Sequence, residues 1–158
     1  MLIVTHLFVG GLIGLLVQDP WQAGLLAFAS HFLLDSIPHG DTHFAEALHD
    51  HKQGARRTLS VFYAGGDLLC ALIGLLWVQT HTPDLFTGAV IAGLVGAVLP
   101  DVLVGIHEAA GQRLLRRFVQ VHHTIHNAVS TRTGDLPLLP AVLGQCAVML
   151  LVVFLWGR

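Results

Sequence analysis

The chain has 158 residues, of which 54% are hydrophobic and only 11% are charged, with a formal net charge of −2. A soluble domain carries roughly twice that density of charge, and a balance this close to neutral argues against nucleic acid as a main partner. Cys70 and Cys146 both lie inside apolar runs, which excludes a disulfide framework and predicts that they pack in the interior.

Membrane spans need roughly 20 residues each, so the length fits a single membrane-embedded domain over residues 1–158, an all-α multi-pass bundle of about five spans. The first apolar run, residues 2–17, is short for a full span and requires tilt or local thinning of the bilayer. It lacks a basic leader and a small-residue cleavage site, and so reads as a retained span rather than a signal peptide. Gly10 and Gly14 within it form a small-xxx-small pattern suited to helix packing, and Asp19-Pro20 ends it. The next runs are residues 21–37, 59–79, 85–106 and 138–156, each of a length and apolarity that predict a helix.

Two long polar connections, residues 38–58 and 107–137, contain helix-like stretches at 44–51 and 108–126. The second stretch puts Leu114, Leu115, Phe118 and Val121 on one side, with Arg113, Arg116, Arg117 and Gln120 around the rest. That pattern predicts a helix lying flat on the membrane surface. Every Lys and Arg except Arg158 falls in these two connections. The charge bias places both of them, and the N-terminus, on the cytoplasmic side of the inner membrane, with the C-terminus outside.

Polar and ionisable groups inside spans are costly and default to a functional reading. Here they gather at one depth. His6 lies just inside the first span, and His31 and Asp35 end the second. At a helical rise of about 1.5 Å per residue, Asp67 is about 12 Å into the third span and Asp101 about 9 Å from the cytoplasmic end of the fourth. His122, His123 and His126 follow in the second connection, while the outer halves of the spans are almost wholly apolar. His31 and Asp35 are one helical turn apart, as are His122 and His126. Pro38 and Gly40 break the second helix before His39 and His43, which can then turn back over the site, and Pro100 loosens the fourth helix beside Asp101.

Neutral imidazole and carboxylate together suit zinc first, with manganese or iron as alternatives. The expected ligands of one or two divalent ions are His6, His31, Asp35, Asp101, His122, His123 and His126. Asp67 and His39 are the candidate catalytic or supporting groups. His49 and His51 are expected to be solvated.

The segment His31-Phe-Leu-Leu-Asp35-Ser-Ile-Pro-His39, with Leu99-Pro-Asp101 and the His122 to His126 turn, resembles the bacterial membrane-bound metal-dependent hydrolase family over most of the chain. More distantly, His31-Phe, Asp35 and Pro38-His39 are similar to the metal-binding segment of zinc-dependent phospholipase C and the single-strand nucleases of the same helical fold. Those enzymes cleave phosphate esters with clustered zinc ions. The resemblance implies His31 and Asp35 as ligands, with Asp101 and the His122 to His126 turn matching the membrane family's Leu-Pro-Asp and paired-His elements. The reading that follows is a metal-dependent hydrolase of a phosphoester, such as a lipid head group, at the cytoplasmic membrane face. Its membrane lipid is partner and candidate substrate, and Arg116 or Arg117 is a candidate for the anionic group. The alternatives are a metal-ion or proton transporter, a haem protein with two axial histidines, and a non-catalytic membrane protein with a buried His/Asp network.

Overall fold

An unbroken apolar run makes helix α1 (Ile3–Val17), which stops where Gln18 turns into the left-handed region at φ 61°. Asp19 then starts α2 (Pro20–Asp35) by accepting a hydrogen bond from Gln22 N at 2.8 Å, with Pro20 at the first helical position, where a missing N–H costs nothing. The computed structural model describes residues 2–40 and 53–156. Asp41, His43, His49 and His51, and the stretch 44–51 expected to be helical, lie outside the described residues. Beyond them come α3 (Gln53–His81), a single 3-10 turn (Pro83–Leu85), α4 (Gly88–Ala109), α5 (Arg116–His126), the short α6 (Ser130–Thr133) and α7 (Leu138–Trp156). The described residues are mostly helical with no strand among them, as the all-α reading expects.

Helix α4 sits at the centre, packed against α2 and α1. Its glycines allow the backbones to touch. A Cβ on Gly93 would lie 2.1 Å from the Gly10 carbonyl oxygen, and one on Gly96 would lie 2.3 Å from that of Gly24. Gly10 and Gly14 thus serve the close crossing of α1 with α4. An apolar cluster of Val4, Leu7, Phe8, Ala71, Val78, Val90, Leu94, Val152 and Trp156 fills the space between α1, α3, α4 and α7.

Polarity is distributed in reverse of a soluble domain. His6, His31, Asp35, His39, His107, His122 and Gln145 are buried, while Leu69, Leu72, Ile73, Leu76 and Trp77 on α3 and Leu143, Leu150, Leu151 and Phe154 on α7 face outward. Cys70 and Cys146 lie on these outward faces as free, exposed thiols, contrary to the interior packing expected of them. An apolar run does not reveal which of its faces turns away from the protein. Two helices, Gly88–Ala109 and Leu139–Trp156, are long and apolar enough to cross a membrane, and Ile3–Val17 is apolar but shorter.

The connection after α4 departs from the expected continuous helix over 108–126. Gly111, Gln112 and Leu115 all adopt positive φ, and a left-handed residue cannot continue a right-handed helix. The buried His107 Nδ1 donates to the Leu114 carbonyl across this turn. The restart at Arg116 buries Val119 and His122, whereas Leu114, Leu115 and Val121 are exposed. The inward face of α5 is the one that brings His122 to α2.

Candidate metal centre

His31 and Asp35 leave α2 on one face because they are one turn apart, and both are buried. Asp101 comes from α4, just past Pro100, and His122 from α5. His31 Nε2 lies 3.1 Å from Asp35 Oδ2, 3.5 Å from Asp101 Oδ1 and 3.4 Å from His122 Nε2. His122 Nε2 lies 3.2 Å from the same Asp35 oxygen.

The tautomer of His31 follows from its other nitrogen. Nδ1 is 2.8 Å from the Ala97 carbonyl oxygen. A carbonyl only accepts, so Nδ1 carries the hydrogen, and in the neutral ring Nε2 presents a lone pair. That lone pair faces two carboxylate oxygens. Such a convergence of acceptors is repulsive alone and attractive around a cation. A tetrahedral site with bonds of about 2.05 Å has edges of about 3.3 Å, and the separations of 3.1–3.5 Å bracket that value. His31, Asp35, Asp101 and His122 form a buried group that could hold a metal ion. The side chain of Asp101 is 33% exposed while those of His31, Asp35 and His122 are at most 5% exposed, so the group opens to one side.

Pro100 removes the backbone N–H that would reach the Gly96 carbonyl, and the next carbonyl along α4, that of Ala97, is the one that orients His31. His122 lacks an equivalent: its Nδ1 is buried without a partner among the described residues. Its ring is held instead by edge contacts with Phe32 and by Phe118.

His6 sits beside this group. Its Nε2 is 3.1 Å from Asp35 Oδ1, the oxygen turned away from His31 and His122, and its ring stacks on His31 with centroids 4.1 Å apart. It therefore orients the carboxylate by donating to it. His39 and His126 form a second group with Asp35. His39 Nδ1 donates to the Ile37 carbonyl at 2.6 Å.

Asp67 and His123 fall elsewhere. The Asp67 carboxylate accepts from Ile3 N at 2.6 Å and Val4 N at 3.2 Å, so it caps the N-terminus of α1 from a neighbouring helix instead of reaching the site. His123 is exposed and lines a surface cleft with Asn127, Thr131 and Arg132. Partial burial, with His122 and His126 beside it, holds its imidazole below the ordinary pKa. Arg116 and Arg117 are exposed at the start of α5.

Two contributors escape a reading of the sequence. Gln145 Oε1 accepts from Leu2 N at 2.8 Å, and Asp135 Oδ1 accepts from Gly40 N at 2.9 Å. A lone Gln in an otherwise apolar run is the signal for the first. The second has no local signal, since its partner is 95 residues away. No family model, curated protein or solved structure matches the chain.

Proposed function

We propose that this protein is a multi-pass membrane enzyme that hydrolyses a phosphoester, such as a lipid head group, at the cytoplasmic face, using a divalent metal held by His31, Asp35, Asp101 and His122. Zinc is the first choice and manganese or iron the alternatives. The observation that carries the reading is the His31 lone pair, fixed by the Ala97 carbonyl, aimed at the oxygens of Asp35 and Asp101. The resemblance to the membrane-bound metal-dependent hydrolase family supports the reaction class.

A divalent cation supplies Lewis-acid charge and acidifies water for attack on phosphorus. The chain's own residues do the rest. His6 holds Asp35, and the Ala97 carbonyl holds His31 in the tautomer that keeps Nε2 free of hydrogen. The partly exposed Asp101 marks the side from which substrate enters. Arg116 and Arg117, exposed on the interfacial helix α5, attract an anionic head group to that level. Five spans put the N-terminus and both long connections in the cytoplasm and the C-terminus outside.

Elemental analysis of the purified protein in detergent tests the centre. Stoichiometric metal in the wild type and its loss in His31→Ala and Asp101→Asn support it, and an absence of metal after reconstitution overturns it. Hydrolysis of bis-p-nitrophenyl phosphate by the loaded protein, abolished in Asp101→Asn, supports the reaction class. Metal uptake into sealed vesicles without hydrolysis would favour a transporter instead.

A further inference from the structure

We infer that the cleft between the C-terminal ends of α3 and α7 is a binding site for one glycerolipid, whose ester carbonyl accepts a hydrogen bond from Trp156 Nε1. The inference goes beyond the proposed hydrolysis and rests only on the membrane setting of that reading. The cleft is lined by Trp77, Val78, Thr82, Val153 and Trp156. Thr82 directly follows α3 and Trp156 ends α7, so the cleft lies at one end of the bundle. With 19 residues, α7 is about 28 Å long. That is close to the hydrocarbon thickness of about 30 Å, and it sets Trp156 at the membrane interface, the level where tryptophans gather.

Trp156 is only 6% exposed, and its Nε1 is buried with no acceptor among the described residues. An indole N–H in apolar surroundings is unfavourable without an acceptor, and a buried one usually has a partner. The ring is held where it is. Its six-membered edge packs so closely on α1 that a Cβ on Gly11 would lie 2.3 Å from Cζ2, and the Phe8 ring lies against it with centroids 5.5 Å apart. The one hydroxyl in the lining, that of Thr82, already donates to the Val78 carbonyl at 2.9 Å. A water molecule needs about two to four polar partners, more than this lining supplies. The site therefore calls for a single acceptor on an otherwise apolar molecule. A glycerolipid ester has that chemistry, because its carbonyl accepts and cannot donate, and its acyl chain matches the apolar walls. Beside the cleft, Leu76 on α3 and Leu155 on α7 face outward, so the chain continues into the bilayer against apolar side chains.

The test offers full-length protein in detergent an equimolar mixture of phosphatidylethanolamines with the same chains in ester and in ether linkage, and counts bound lipid by native mass spectrometry. Ether lipids lack the carbonyl. The expected result is one lipid per wild-type chain, with the ester form favoured about 3- to 10-fold, the discrimination that one neutral hydrogen bond gives. Trp156→Phe keeps an aromatic ring and removes the N–H, and the ratio should fall to about one, whereas Trp21→Phe, at an exposed position outside the cleft, should leave it unchanged. Should Trp156→Phe not elute as a monodisperse species, Trp156 exchanged for benzothienylalanine, which puts sulfur in place of the N–H at nearly the same shape, carries the same comparison. Equal retention of the two lipids by the wild type, a preference that survives loss of the N–H, or a dimer that retains no lipid overturns the site. Flotation with phosphatidylethanolamine and phosphatidylglycerol vesicles separates the two readings: protein that co-floats yet shows no ester preference loses the lipid site alone, and protein that does not co-float loses the membrane setting with it.

Discussion

At the residue scale the centre depends on which hydrogen each imidazole carries. In its neutral form His31 turns a lone pair to Asp35 Oδ2, while His6 reaches Oδ1 with a donor, so equivalent substitutions of the two should differ in kind. We expect His31→Ala to abolish metal binding. His6→Ala should retain the ion with an affinity reduced about 10- to 100-fold, the usual cost of losing an outer partner. Competition against a chromogenic chelator measures both, and equal losses would contradict the division of roles. The His31 and Asp35 pairing was legible from the helical period alone. The joining of Asp101 and His122 to it was legible only as a shared depth in the membrane, because contacts between residues 91 positions apart come from tertiary packing. Asp67 misled for a physical reason. An intramembrane carboxylate signals function by default, and its actual partners, two N–H groups at the start of α1, are invisible in its own segment.

At the element scale, helix contacts made through backbone tolerate no side chain. Gly96→Val should destabilise the protein by about 1–3 kcal/mol, the cost of overpacking a close-packed contact, and lower metal occupancy, since α4 carries both Ala97 and Asp101. A wild-type unfolding midpoint in detergent would refute this. Asp67→Ala leaves the Ile3 and Val4 N–H groups without their acceptor, at about 1–3 kcal/mol each, and Asp67→Asn should recover part of the loss by keeping one acceptor oxygen. Unfolding curves decide the point: unchanged stability with lost hydrolysis would return Asp67 to a catalytic role. The helices themselves were legible as apolar runs, and the observed ends lie within about three residues of those runs except at the start of α3, which begins at Gln53, six residues inside the connection expected to be polar loop. The break between α4 and α5 was not, because Gln112 and Leu115 adopt a left-handed conformation that their residue types do not announce.

At the scale of the whole molecule, buried histidines and outward leucines fit a lipid surrounding. Cys70 and Cys146, on the outward faces of α3 and α7, should resist a charged maleimide in intact vesicles and react after unfolding in detergent. Ready labelling in the bilayer would place those faces in water. The clamp at the start of α1 has a consequence in time. Leu2 donates to Gln145 across 143 residues of chain, and Ile3 and Val4 donate to Asp67. A nascent chain delivers α1 before α7, so the opening turn of α1, next to His6, lacks its final acceptor until Gln145 has been synthesised 143 residues later. Assembly of the first turn of α1 thus finishes only when α7 has docked.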